Sequence, residues 1–329
     1  SPNPMIGAVV VRDNQAVGRG YHKQAGGAHA EVHALAAAGA AAHGATLYVT
    51  LEPCSTYRRT PTCTKAIAAA GISRVVIGCI DTNPQHQGKG IAWLQQQQIA
   101  VTAGIEQQRC QELNEAFFHW IRTGQPFVLL KLATTLDGKI ATADGNSQWI
   151  TGAAARHRVQ RLRRWADAIM VGGETLRLDN PRLNVRVPAN WPRQPQTYVF
   201  SRAAALPPEL YLSSTASRTQ LVSAETAEQW HALLHEMGQL QITSLLLEGG
   251  GELAAAALRA GVVNKIAFFM AAKILGGRGS RGAVGGTDPT SLQQALQVHD
   301  LRIERVGNDW LWTGYPQPPA ATVLQNSVN

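Results

Sequence analysis

An α/β fold in two successive domains is what this sequence predicts, and three observations predict it. The chain has 329 residues, enough for two domains of roughly 100–200 residues each, either able to bury its own core. Apolar residues make up 45% and aromatic residues 6%, a globular composition. Strand-like runs alternate with helix-like ones along the chain, the pattern of sheets layered with helices.

The elements follow in order. Residues 6-IGAVVVR-12 and 16-AVGRGY-21 read as a hairpin turning at Asp13-Asn14-Gln15. An Ala- and Leu-rich helix is expected from Ala28 to Ala38, then strand 46-TLYVTL-51, a helix after Pro61, and strand 74-RVVIGCI-80. A helix near Gly90–Gln97, strand 99-IAVTA-103 and one helix from Ile105 to Arg122 complete the first domain. At Thr123-Gly124-Gln125-Pro126 the helix stops and a strand begins, which marks a boundary. Beyond it come strand 127-FVLLKLA-133, a helix over 153–165, and strands 168-AIMVGG-173, 197-TYVFS-201 and 219-TQLVS-223. Strand 244-SLLLE-248 has a helix behind it, and 263-VNKIAFF-269, 301-LRIERVG-307 and 309-DWLWTG-314 are the last strands. The expected domains are 1–123 and 124–316, with a flexible tail over 317–329.

Composition excludes several classes. No run approaches the ~18 apolar residues of a membrane span, and no signal peptide is recognisable. Four cysteines are too few for a disulfide framework, so a reducing cytoplasm is expected. Cys79 reads as a buried strand residue and Cys110 as part of a helix. The chain opens on Ser1-Pro2-Asn3-Pro4 without an initiator Met, and further N-terminal residues are expected. Much of the net charge of +8 lies in 156-RHRVQRLRR-164. That stretch suits a solvated helix face or a phosphate-bearing small molecule. Few aromatics flank it, so base stacking has no local support and no nucleic-acid partner is expected.

The chemistry-bearing residues sit in 29-HAEVH-33 and 52-EPCSTYRRTPTC-63. His29, Cys54 and Cys63 offer three zinc ligands. With His33 as a fourth the site is closed and structural; with three it keeps a position open for chemistry. H-x-E followed by P-C and a second Cys is the pattern of zinc deaminases, in which the Glu is the general acid/base and not a ligand. Glu31 holds that place.

Four stretches together, 2-PNPMIGAVVV-11, 29-HAEVHAL-35, 50-TLEPCSTYRRTPTC-63 and 81-DTNPQHQGKG-90, resemble the bifunctional riboflavin-biosynthesis deaminase/reductase family. The C-x8-C spacing favours that family over tRNA adenosine deaminases. The resemblance covers nearly the whole chain. It implies a cytidine-deaminase-like first domain with one zinc on His29, Cys54 and Cys63. Glu31 is then the proton shuttle, and Asn3, His22 and Arg59 lie near the substrate, 2,5-diamino-6-(5-phosphoribosylamino)pyrimidin-4(3H)-one. Two departures stand out. Thr56 and Arg58 replace the family's usual His and Gly between the cysteines, and the helix that usually precedes P-N-P is absent. Arg58 is a candidate to meet the ribose phosphate in place of that His.

In the second domain 249-GGGELA-254 fits G-x-G-x-x-A. It lies far from a first βα turn and has no acid ~20 residues on, which speaks against a Rossmann fingerprint. A tight turn and an anion site at a helix N-terminus both remain open. Residues 131-KLATTLDGKIA-141, 147-SQWITG-152, 179-DNPRLNVR-186 and 247-LEGGGELA-254 resemble the family's reductase domain. That resemblance implies a dihydrofolate-reductase-like fold using NADPH. By position, Ala133, Trp149, Thr175, Asp179 and Ser201 line the cofactor, with Gly250, Gly251, Glu252, Leu253, Ala254, Ala255 and Ala256. Ser147, Arg163, Leu183, Arg186 and Glu248 hold the substrate, with Lys131 a further candidate. Arg163 thereby becomes a phosphate ligand, where Arg suits a bidentate grip. The residues alone also allow Trp149 as core, Asp179 as a turn cap and Lys131 as a strand-edge charge. The resemblance further implies a homo-oligomer. The rival readings are a nucleic-acid base deaminase, a binding module with closed zinc, and a reductase whose deaminase half is impaired.

Overall fold

Strands β1 (Gly7–Arg12) and β2 (Gln15–Tyr21) pair antiparallel. Asp13 and Asn14, at φ 49° and 61°, close the hairpin, a two-residue turn of the kind that matches strand twist. The turn is thus one residue tighter than expected. These residues belong to a computed structural model that describes residues 1–55, 62–83 and 86–317. The chain divides into two units, Ser1–Gln125 and a second beginning at Pro126.

The first unit continues with α1 (Ala30–Ala38), β3 (Thr46–Leu51), α2 (Cys63–Ala69), β4 (Arg74–Cys79), α3 (Lys89–Gln96) and β5 (Ala100–Ala103). Its sheet runs β2-β1-β3-β4-β5, antiparallel at the hairpin end and parallel from β3 onward. Ala30, Ala34, Leu35 and Ala38 of α1 are buried in one core with Val10, Leu47 and Ile67. Alanine on the helix and glycine on the strand let the two backbones come close. A Cβ at Gly18 would lie 2.2 Å from the Ala34 carbonyl oxygen, and one at Gly20 would lie 2.3 Å from that of Ala30. The single helix expected over 105–122 is two, α4 (Gln107–Leu113) and α5 (Glu115–Thr123), broken at Asn114 with φ −117° and ψ 19°.

The second unit comprises β6 (Phe127–Thr135), β7 (Lys139–Ala141), α6 (Ala153–Trp165), β8 (Ala168–Gly172), α7 (Gly173–Asp179), β9 (Gln196–Phe200) and β10 (Thr219–Val222). After these come α8 (Ala227–Gln239), β11 (Ser244–Glu248), α9 (Gly251–Arg259), β12 (Lys265–Ala271), β13 (Arg281–Gly282), β14 (Gln297–Val306) and β15 (Asp309–Gln317). Eight strands form one sheet in the order β10-β9-β8-β11-β6-β12-β15-β14. It is parallel from β10 to β12 and antiparallel beyond.

Strands covered on both faces read as continuous apolar runs, and β6 and β11 do. Val128, Leu130, Leu245 and Leu247 face the core shared with α8 and α9, while Leu129 and Leu246 face the core shared with α6. Helices α7 and α8 were not expected from sequence, although Thr226 caps α8 by accepting the Gln229 N–H. Strand β15 continues past the expected Gly314 through Pro316 to Gln317, where the tail was expected to begin. Pro316 lies past Gly314, the last β15 residue paired with β12, so its missing N–H costs no bond on that side. Residues 318–329 lie outside the described residues. Among the described residues no helix is long and apolar enough to cross a membrane.

Candidate active sites

Three segments of the first unit meet at one point. His29 is the N-cap of α1, extended at φ −76° and ψ 166°. Cys54 follows β3, and Cys63 opens α2, whose N-cap Thr62 accepts the Lys65 N–H. His29 Nδ1 lies 3.1 Å from Cys63 Sγ and 3.5 Å from Cys54 Sγ. All three donor atoms fall within 4.8 Å of one another, and His33 is not among them. The His33 Cβ instead faces Gly20, where an added Cβ would come within 2.7 Å of it. The closed four-ligand site therefore does not form.

The sulfurs pull in opposite directions. A hydrogen bond from the Cys63 thiol, with His29 beside it, brings Cys54 down to about 4 against the effect of burial. Cys63 is pushed up by the Cys54 sulfur and by burial. One negative charge is easily held here; a second needs a cation. Two thiols and an imidazole in this arrangement are a zinc donor set with one position for another ligand. Glu31, in the first turn of α1, is 1% exposed, and its Oε2 has no hydrogen-bond partner. Burial pushes its carboxyl up to about 7. An unpartnered carboxylate oxygen at this depth is costly, and it is accounted for if the oxygen serves a ligand of the site.

Asn3 and His22 join the same region. His22 stands edge-on to His29, with ring centroids 5.3 Å apart. Asn3 Nδ2 lies 2.9 Å from His22 Nε2, and His22 Nδ1 lies 3.1 Å from the Ala28 carbonyl. An amide nitrogen only donates, so Nε2 accepts and Nδ1 carries the proton toward Ala28. Burial and the neighbouring His29 lower the His22 pKa, which favours that neutral ring. Arg59 lies outside the described residues, as do Thr56 and Arg58. Sequence reasoning missed Glu52. Its buried carboxylate accepts the N–H groups of Gly88 and Gly90 at 3.0 and 2.9 Å, and more weakly those of Asp81 and Ile91. It ties the segment between β4 and α3 to the turn that carries Cys54. Its sequence signal was an acid between an apolar strand and Pro-Cys.

The second unit holds a cavity of about 710 Å³, a size suited to a small-molecule ligand. Its walls include the ends of β6, β8 and β11, where ligands bind in parallel sheets. Of the residues expected around a cofactor, Ala133, Trp149, Thr175, Asp179, Gly250, Gly251 and Glu252 line it. Of those expected around a substrate, Lys131, Ser147, Arg163, Leu183, Arg186 and Glu248 do. Ser201 is not in the lining; its Oγ accepts the Ala203 N–H. Leu253, Ala254 and Ala255 are buried and Ala256 packs against the core, so these four turn their side chains away. Gly249 and Gly250 adopt φ 86° and 82°, a conformation that favours glycine. A Cβ at Gly250 would stand 3.0 Å from Thr175 Oγ1. Here the backbone itself forms the wall, leading into α9.

Arg163 is engaged differently from the expectation. The edge suited to gripping a phosphate faces Glu248, with Nε to Oε1 at 2.6 Å and Nη2 to Oε2 at 2.9 Å. Its Nη1 donates to the Asn184 carbonyl at 3.2 Å. Burial alone would raise the Glu248 carboxyl; Arg163, Lys131 and Arg186 outweigh it and hold it below the usual range. Lys131 is the register partner of Glu248 across β6 and β11. Its ammonium is pushed down by burial. Ser147 Oγ donates to Asp179 Oδ1 at 2.8 Å. The basic helix is thus divided: Arg156, Gln160 and Arg163 line the cavity, whereas Arg158 pairs with Glu304 and Arg164 lies over Trp191. Sequence reasoning missed Gln160, whose Oε1 accepts the Arg186 N–H at 2.7 Å, and the Arg281–Glu174 pair at 2.8 Å. Neither belongs to a motif that the sequence displays.

Comparison with known proteins divides the chain in the same order. Residues 1–79 match the cytidine and deoxycytidylate deaminase zinc-binding region, and residues 126–312 match the RibD C-terminal domain. The riboflavin biosynthesis protein RibD of Synechocystis is 43% identical, across 96% of this chain and 91% of the relative. That of Escherichia coli is 40% identical, across 94% and 92%. Among solved structures, RibD of Acinetobacter baumannii superposes with a TM-score of 0.85 at 35% identity, covering 96% of this chain and 93% of that one. A diaminohydroxyphosphoribosylaminopyrimidine deaminase/5-amino-6-(5-phosphoribosylamino)uracil reductase from Thermotoga maritima does so with a TM-score of 0.84 at 31% identity and the same coverage.

Proposed function

We infer the chemistry of this chain from one premise: it belongs to the RibD family of riboflavin-biosynthesis proteins. It is a bifunctional enzyme, a zinc-dependent deaminase followed by a reductase. The substrates we assign are those in the name of the Thermotoga maritima relative. The first reaction takes in water, replaces a ring amino group of the diaminopyrimidine by a carbonyl and releases ammonia. The second reduces the ribosyl group of the deaminated product to ribityl.

The observation that carries the deaminase reading is the His29, Cys54 and Cys63 cluster beside the unpartnered Glu31 oxygen. Those three residues would hold one zinc, which when bound supplies Lewis acidity that lowers the pKa of water toward ~7. Glu31 takes the proton of the attacking water at its carboxylate and returns it to the departing amine. A carboxyl near 7 suits both transfers at neutral pH. Asn3 offers its Oδ1 to the substrate while His22 fixes its other end. Arg59 we retain as a substrate contact on the resemblance alone.

For the second reaction we propose NADPH, which supplies the hydride. The glycine wall, Thr175 and the N-terminus of α9 suit its phosphates, with Trp149 and Asp179 nearby in the same lining. Lys131, Ser147, Glu248 and Arg186 face the remaining space and would hold the phosphoribosyl part. Arg163 orients Glu248. We also propose that the chain works as a homo-oligomer in a reducing compartment, which suits four cysteines with no disulfide among them. A two-step assay tests the whole reading. Ammonia release is followed on the diaminopyrimidine, then NADPH oxidation on the deaminated product. Both are expected from the one chain; absence of either overturns the corresponding half.

A further inference from the structure

We propose that Asn114 is a positioning residue of the deaminase site, acting through the N-terminal segment that carries Asn3. The inference rests on the deaminase reading given above. Asn114 is 3% exposed and sits at the break between α4 and α5. Its Oδ1 accepts the Met5 N–H at 2.7 Å, and its Nδ2 donates to the Met5 carbonyl at 3.0 Å. The amide thus closes a two-bond ring with the backbone of a residue 109 positions away.

This contact is directional where apolar packing is not. A ring of one donor and one acceptor matches a side-chain amide to the N–H and C=O of one residue and fixes both its position and its orientation. Met5 is itself exposed, so its side chain does little to anchor the segment. Two positions earlier Asn3 reaches His22, which in turn reaches the Ala28 carbonyl immediately before His29. Asn114 and His22 therefore hold the Asn3–Met5 segment from its two ends. The helix break has a local reason as well. An uninterrupted helix would place Asn114 at an interior position, where asparagine is a poor helix former, and the observed φ/ψ releases it for the Met5 contact. Either amide atom, left buried without its partner, would be costly.

The test is Asn114→Ala, with ammonia release measured against substrate concentration and zinc counted per chain. We expect KM for the diaminopyrimidine to rise about 10- to 100-fold, the cost of loosening a positioned group. The turnover number and the zinc content should hold. A residue acting through Asn3 is not additive with it. In an Asn3→Ala background, Asn114→Ala should therefore lower kcat/KM by no more than about twofold further. Unchanged kinetics in the single variant, or two losses that multiply, would overturn the proposal, as would loss of zinc along with activity. If Asn114→Ala does not fold, Asn114→Asp keeps the acceptor for Met5 N–H, removes the donor, and is read the same way. Failure of the unaltered, zinc-loaded chain to release ammonia is a separate result. It would overturn the deaminase reading, and this inference with it.

Discussion

His29 and Cys63 lie 34 positions apart and their donor atoms 3.1 Å apart, whereas the second cavity takes its walls from Lys131 through to Gly285. The first site concentrates its chemistry in four side chains at the ends of three adjacent segments. The second spreads it over strands β6, β7, β8, β11 and β13, helices α6, α7 and α9 and the loops between them, around a space of about 710 Å³. A metal ion needs few donors at short range, so one substitution removes its chemistry. The dinucleotide and sugar phosphate proposed for the second cavity need area, so most single changes there are expected to shift affinity. The exception is the buried ion pair at the floor of the second cavity.

Glu31→Gln should open the widest gap between the two units. Deamination is expected to fall by about 10²–10⁴-fold, the scale of lost general acid/base catalysis. Zinc content and NADPH oxidation on the deaminated substrate should stay unchanged. Cys63→Ser should lose zinc as well, and metal analysis separates the two variants. Next comes Arg163→Ala, which leaves Glu248 buried without its partner. A loss of about 3–5 kcal/mol is expected in the second unit, read as an earlier urea transition, with reduction lost and deamination kept. If deamination falls equally, the two units do not behave independently.

Arg186→Ala should be milder, because Arg186 is exposed. A rise of about tenfold in KM for the phosphorylated reductase substrate is expected, some 1.4 kcal/mol, with kcat little changed. The smallest effect is in pH. Glu248 has its carboxyl held below the usual range, so the unfolded chain takes up this proton first on acidification. Its contribution is complete above the ordinary Glu value near ~4.3 and is lost as pH falls through the folded value. In Glu248→Gln, stability of the second unit should vary less with pH below ~4.3.

The same contrast governs what the sequence reveals. Candidate zinc ligands are rare residue types whose spacing has meaning, and His29, Cys54 and Cys63, with Glu31 as the acid/base beside them, could all be named from two short stretches. Parallel strands such as 127-FVLL-130 and 244-SLLLE-248 are visible because burial on both faces makes them continuously apolar. The break at Asn114 was not visible, because the residues on both sides form helix well and the cause lies at Met5, 109 positions away. Arg163 was visible as a charge but not as a partner of Glu248; 85 positions separate them. Likewise the resemblance assigns Leu253–Ala256 to the cofactor by position, while helical geometry turns their side chains into the core. Sequence spacing reports neighbours along one element and says little about which distant group a side chain will face.

Gly18 and Gly20 put a spacer gauge into the first unit. Helix α1 carries both His29 at its cap and Glu31 in its first turn, and it rests on β2 at a separation that tolerates no Cβ at either glycine. The cysteines reach the site from β3 and α2 instead. The ligand set is therefore split between a part that rides on α1 and a part that does not. One added methyl at position 20 would lift the first part from the second without altering a ligand. On the zinc reading proposed above, metal affinity would then report how tightly a helix is seated on a strand, with two glycine hydrogens setting the distance.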